Sequence, residues 1–239
     1  MHKFRASMLS EIMTDPQCID PVYLTDELAA ISRKTKKTDE DKAILAPLWE
    51  KSLSVGAKTC VEQLAKQLVY GYEEQMSSKY TEKGLLVEDQ SIQLYNEVFF
   101  TNYTKNTERR TNDWITGECD ICSPGRIIDI KSPWSLQTFP ATIAAGRAKG
   151  YEWQGRAYMM LWDVDEFEIA YCMVSTPDDL VGYENEAIHY VDHINPELRV
   201  TRVPYTRDKT LEDKIKQRCE EANRYLDLLV KQIADEHNF

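Results

Sequence analysis

No apolar run in the chain reaches the roughly 20 residues that a membrane-crossing helix requires, which excludes a helical membrane protein. The opening Met1-His2-Lys3-Phe4-Arg5 is not followed by an apolar segment, so no secretory signal is read. Cysteine is sparse and scattered, at Cys18, Cys60, Cys119, Cys122, Cys172 and Cys219. Several of these fall in apolar surroundings, and without a signal they are expected to be reduced thiols in the cytoplasm. Cys119 and Cys122 have the spacing of a metal knuckle, but no second such pair or histidine pair completes it, which argues against structural zinc. Positive charge is also in deficit: 29 basic against 40 acidic residues give a net charge of −11. Phosphate contacts dominate non-specific nucleic-acid affinity, so an acidic chain is a poor general binder of DNA. A local basic channel remains compatible with an acidic exterior. No internal repeat and no linker divides the 239 residues, so one domain is expected. Its parts are a helical portion over 1–80 and a larger portion over 81–239.

The stretch Thr116 to Pro133 carries the most chemistry. A Ser123-Pro124-Gly125 turn separates two short isoleucine-rich runs, which predicts a β-hairpin. The second run, Arg126 to Lys131, is apolar at Ile127, Ile128 and Ile130 yet carries Asp129 and Lys131. Two apart on a strand, these share one face. An acid and a lysine on a buried strand need a reason, because unpaired buried charge is costly. Asp120 on the partner strand can join them. Two carboxylates and a lysine suit a hard divalent cation and a held water. Glu118 falls on the same face as Asp120, so either could be the first acid.

Gly117 to Asp120, followed by Asp129-Ile130-Lys131, resembles the signature of the PD-(D/E)XK nuclease superfamily. Other stretches extend the likeness. Gly84-Leu85-Leu86-Val87-Glu88 resembles the family's first motif, whose glutamate faces the metal. Gln154 and Tyr158, four apart on a helix following the lysine strand, match its Gln-x-x-x-Tyr motif. Arg5-Ala6-Ser7 opens a helical pattern (Met8, Leu9, Ile12, Met13). The plain reading makes Ser7 a helix N-cap. The sharper one places a phosphate on Ser7 and Arg5, as in the phage lambda exonuclease and YqaJ-type viral recombinase group. The third-motif acid is Asp129, where lambda-type members carry Glu. The cysteine trio of the iron–sulfur nucleases sharing this core is missing.

The remaining segments give coarser signals. Residues 15–55 are loosely patterned. Ser32-Arg33-Lys34-Thr35-Lys36-Lys37 is a basic run, a solvated face by default and a DNA-steering patch under the nuclease reading. Thr38 with Asp41 three residues on predicts a helix start. Val61, Leu64, Ala65, Leu68, Val69, Tyr72 and Met76 form an apolar helical stripe. A helix is expected after Gly84 (Leu85, Leu86, Ile92, Tyr95, Val98), then strand, turn and strand over 98–110. A helix over 142–162 follows the hairpin. Residues 166–175 alternate as a half-buried strand, and 188–204 read as extended. Within that last run, His189 and His193 sit four apart, but its β-like pattern and Pro196 argue against a metal pair. The alternation Arg199-Val200-Thr201-Arg202-Val203 would present arginine on one face. A long helix closes the chain, with Leu211, Ile215, Cys219, Ala222, Leu226, Leu229 and Ile233 on one side.

Together these predict an α/β fold. The resemblance implies a restriction-endonuclease-like core, with a central mixed sheet flanked by helices and an N-terminal helical addition. It also implies one or two Mg²⁺ ions, with Mn²⁺ able to substitute, held by Glu88, Asp120, Asp129 and the carbonyl of Ile130. Lys131 would position or deprotonate the water, while Gln154 and Tyr158 orient the site. Arg5 and Ser7 would take the terminal phosphate. The implied activity is 5′→3′ digestion of linear double-stranded DNA, leaving 3′ single-stranded tails for phage-type recombination. A single-strand annealing protein, a ring-shaped homotrimer and a phage or prophage origin in a bacterial cytoplasm are implied in the same way. Two alternatives stand: a structure-specific endonuclease or single-strand exonuclease of the superfamily, and an inactive relative that binds DNA or protein.

Overall fold

The computed structural model describes residues 1–73 and 78–237. The first half of the chain carries β1 (Phe4–Arg5), α1 (Leu9–Ile12), α2 (Asp26–Arg33), α3 (Asp39–Lys51), α4 (Val55–Tyr70), α5 (Lys79–Leu86) and α6 (Glu88–Phe99). Then come β2 (Arg110–Thr111), β3 (Ile115–Gly117), β4 (Ile121–Ser123), β5 (Arg126–Lys131), α7 (Ile143–Arg147) and α8 (Glu152–Trp162). The last elements are β6 (Glu166–Cys172), α9 (Asp178–Val181), β7 (Val200–Thr206) and α10 (Lys209–His237). Among the described residues no helix is long and apolar enough to cross a membrane.

The expected hairpin is β4 against β5, closed by Gly125 at φ 77°, a left-handed conformation that favours glycine. It forms one edge of a mixed sheet in the order β4-β5-β6-β7. β5 and β6 run parallel, joined through α7 and α8, while β7 returns antiparallel. A smaller sheet, β1-β3-β2, stands beside it and ties Phe4 and Arg5 to Ile115 and Thr116. The N-terminal part is therefore not purely helical.

Alternation along β5 and β6 serves two cores. On one face Ile127, Phe167, Ile169 and Tyr171 pack with Ala157, Tyr158 and Met159 of α8 and with residues of α1, α4 and α10. On the other, Ile128, Ile130, Ala170 and Cys172 meet Val87, Ile92, Leu94 and Tyr95. β6 is thus buried on both faces rather than half buried. Its polar position, Glu168, is enclosed because the Tyr95 hydroxyl donates to it at 2.8 Å and Arg202 pairs with it. At about 1.5–3 kcal/mol for each fully buried large apolar side chain, burial on both faces outweighs the cost of enclosing one ion pair.

Gly155 sets how closely α8 lies on the sheet. A Cβ there would stand 1.8 Å from Cε1 of Phe167, so only glycine lets the helix approach β6. Thr38 and Asp41 form a reciprocal capping box at the start of α3, as expected. α10 buries Ile215, Cys219, Ala222 and Leu226, chiefly against α4 and α8.

Several expectations are corrected. The apolar stripe over 61–76 ends at Tyr70, where Gly71 adopts a left-handed conformation, and Leu68 and Tyr72 are exposed. Met76 lies outside the described residues. Gly84 sits inside α5 rather than before a helix, and Leu85 and Leu86 are exposed. Val98-Phe99 is the last turn of α6, so the strand expected there is absent. Gly150, at φ 82°, lies in the break that divides the predicted helix over 142–162. Residues 188–204 hold short 3-10 turns before β7. His189 is buried between Thr176 and Glu184. Arg199 and Arg202 pair with Asp192 and Glu168 instead of forming a free cationic face. Ser7 lies within a 3-10 turn over Ala6–Met8 that has no side-chain cap.

Candidate active site

Asp129 occupies the middle of β5, with its side chain 1% exposed and Oδ1 without any hydrogen-bond donor. Lys131 Nζ stands 2.5 Å from Oδ2 and forms a close ion pair with it. Asp120 reaches in from the residue before β4, where its Oδ2 accepts the Ile130 N–H at 2.6 Å. In a strand one residue's N–H and C=O point to the same edge. β4 pairs with β5 only as far as Ile128, so the Ile130 carbonyl faces Asp120 beyond the end of the ladder.

Electrostatics show strain in this arrangement. Burial and the negative charge of Asp129 push Asp120 up to about 8. For Lys131 burial disfavours the charge, yet Asp129 and Asp120 outweigh it and raise the pKa. The Tyr151 ring lies 4.9 Å from Lys131 Nζ and adds a cation–π contact. Buried Asp129 and half-buried Asp120 therefore share one protein cation.

These groups form the floor of a cavity of about 700 Å³. Every residue singled out from the sequence lines it: Arg5, Ser7, Glu88, Asp120, Asp129, Ile130, Lys131, Gln154 and Tyr158. Gln154 Nε2 donates to the Tyr158 hydroxyl at 2.8 Å, and burial, then Asp129, raises that phenol's pKa. Glu88 opens α6 and pairs with Lys105. Glu118 lies in the cavity wall but pairs with Arg109 at 3.3 Å, while Asp120 is the acid beside Ile130. Arg5 and Ser7 sit exposed where β1 passes into the first turn, and Arg5 pairs with Glu73.

The donors suit a hard divalent cation. Asp129 offers an unpartnered Oδ1 and an Oδ2 met by Lys131, and Asp120 and the Ile130 carbonyl complete an all-oxygen set of the kind magnesium prefers. Among the described residues no three acidic, histidine or cysteine side chains gather tightly enough to hold a metal as they stand. Glu88, held by Lys105, is the member that would have to turn inward.

Sequence reasoning missed Tyr151, Arg109 and Lys149, which also line the cavity. Tyr151 lies three residues before Gln154, just ahead of α8, and that spacing is its only sequence signal. Arg109 stands next to Arg110 with no spacing that ties it to the acids.

No protein-family model matches the chain, and no curated protein matches it. Among solved structures, a phage-related exonuclease from Haemophilus somnus 129PT is 32% identical, with a TM-score of 0.80 over 97% of this chain and 96% of that one. The alkaline exonuclease LHK-Exo of Laribacter hongkongensis shares the fold at 13% identity and a TM-score of 0.58, covering 99% and 93%. LHK-Exo in complex with dAMP is similar at 14% identity and a TM-score of 0.57. With identity at that level along nearly all of both chains, and with the acid–lysine strand in place, this protein belongs to the phage-related exonuclease family of PD-(D/E)XK nucleases.

Proposed function

We propose that the chain is a divalent-metal-dependent deoxyribonuclease that digests linear duplex DNA from its 5′ ends. The observation that carries this reading is buried Asp129 and half-buried Asp120 with Lys131 at the floor of a cavity whose rim holds Arg5 and Ser7. The Haemophilus relative is a phage-related exonuclease, and LHK-Exo has been seen with dAMP, a deoxynucleotide of the size such a cavity would release.

Asp120, Asp129 and the Ile130 carbonyl would hold Mg²⁺, with Glu88 joining once it leaves Lys105; Mn²⁺ would substitute. A bound metal supplies Lewis-acid stabilisation of the charge that builds on the phosphate oxygens. Lys131, flanked by carboxylates, keeps its proton in the metal-free protein, so Nζ acts there as a fixed cation that orients water and phosphate. Tyr151 limits its movement from above. Gln154 and Tyr158 brace one another across one turn of α8 and keep the floor ordered. Ser7 and Arg5 would receive the 5′-phosphate, Arg5 exchanging Glu73 for the new anion. With a net charge of −11, binding leans on these placed cations and is strongly weakened by salt.

The test compares linear duplexes bearing 5′-phosphate or 5′-hydroxyl with a closed circle, all in magnesium. Preferential loss of the phosphorylated linear strand supports the proposal. Cutting of the circle would move the protein to an endonuclease, and DNA binding without cleavage by any divalent metal would make it a binding relative.

A further inference from the structure

Lys83 is fully buried, and all three of its hydrogen bonds go to main-chain carbonyls: Pro133 at 2.6 Å, Val174 at 3.0 Å and Trp134 at 3.1 Å. An ammonium has three donors, so this cage satisfies it completely. The carbonyls belong to segments just past β5 and β6, whose ladder ends at the pair Lys131 and Tyr171. Groups beyond a ladder need other partners when buried. Lys83 supplies them and joins both strand ends to α5.

The rest of α5 is turned the opposite way from an ordinary surface helix. Lys83 is its one buried residue, while Tyr80 and Leu85 are 56% and 71% exposed and line the cavity with Thr81 and Gly84. An amphipathic helix normally buries leucine and exposes lysine. Here the apolar side chains face the cavity, and the cation does the docking. Other ties of α5 are more exposed: a Lys79–Glu184 ion pair, a cation–π contact of Lys79 on Trp134 at 4.7 Å and an edge contact of Tyr80 on Trp134 at 5.4 Å.

We propose that Lys83 is a positioning residue for the nuclease reaction, a buried cationic peg that holds α5 as one wall of the cavity against the end of the strand carrying Lys131. The inference rests on the nuclease reading above. Loss of the peg frees the wall that meets the substrate. The strand ends keep a separate tie, because the Thr176 hydroxyl also donates to the Trp134 carbonyl, at 2.9 Å. Substrate retention therefore suffers more than the chemical step.

The experiment compares Lys83→Met with Thr176→Val, which removes a bond to the same carbonyl without touching α5. Amide exchange over 79–86 should quicken about tenfold in Lys83→Met, with β5 and β6 unchanged. KM for linear duplex should rise about tenfold with kcat nearly constant. Thr176→Val should alter neither. Unchanged exchange over 79–86 would overturn the inference, and so would a fall in kcat at constant KM. The exchange measurement decides the matter even if the wild type cuts no DNA, in which case only the nuclease reading fails. If Lys83→Met does not fold, Lys83→Gln carries the same comparison. Failure of both to fold would make Lys83 a core residue alone and overturn the proposal.

Discussion

Replacing Asp120 with Asn in the metal-free protein should change how stability depends on pH. Burial and the charge of Asp129 move Asp120 from its ordinary 3.8 up to about 8, so across that window the folded protein holds a proton that the unfolded chain has released. The stability this confers is fully present below about pH 4 and is lost as pH rises toward about 8. One proton of difference is worth at most about 1.4 kcal/mol per pH unit. Between about pH 6 and about pH 7.5 the wild type should therefore lose up to roughly 2 kcal/mol more than Asp120→Asn. In a chain of this size that corresponds to a midpoint difference of about 4–8 °C.

The variant is a fair control, because Asn can still accept the Ile130 N–H that Asp120 accepts. Thermal or urea melts in EDTA at the two pH values give the comparison. Magnesium bound as proposed would expel the proton on Asp120, so its stabilisation of the wild type should grow with pH. Parallel pH curves for the two proteins in EDTA would refute the argument, because Asp120 would then hold no extra proton in the folded protein.

Three further outcomes are expected. Gly155→Ala should cost about 1–3 kcal/mol in urea melts, since its methyl would overlap the Phe167 ring. Tyr151→Leu should slow cleavage about three- to tenfold in single-turnover kinetics, while Tyr151→Phe, which keeps the ring over Lys131, should stay close to wild type. Ser7→Ala should erase most of the preference for a 5′-phosphate over a 5′-hydroxyl, measured as the ratio of digestion rates, with little change in melting because Ser7 is exposed.

The strand at the candidate site was legible because it breaks a local rule: Asp129 and Lys131 stand in an isoleucine run where charge needs a partner. Gln154 and Tyr158 were legible by helical spacing, and the Thr38–Asp41 cap by its reciprocal chemistry. What failed depended on partners distant in sequence. Arg202 looked like a free cation, but its partner Glu168 lies 34 positions away across two strands. The same pairing let β6 bury a glutamate that alternation alone would turn to solvent. Val98 and Phe99 have strand propensity, yet tertiary packing keeps them in α6. Lys83 was invisible for the plainest reason: a lysine in a helix is read as surface until the carbonyls that receive it are seen.

The most direct measurement is single-turnover cleavage of a 5′-phosphorylated linear duplex in Mg²⁺ and in EDTA, for the wild type and Lys131→Ala. Cleavage only with Mg²⁺, reduced about 100-fold or more in Lys131→Ala, is the predicted result. Equal rates for the two proteins, or cleavage undiminished by EDTA, would contradict the claim that Asp120, Asp129 and Lys131 form the active site.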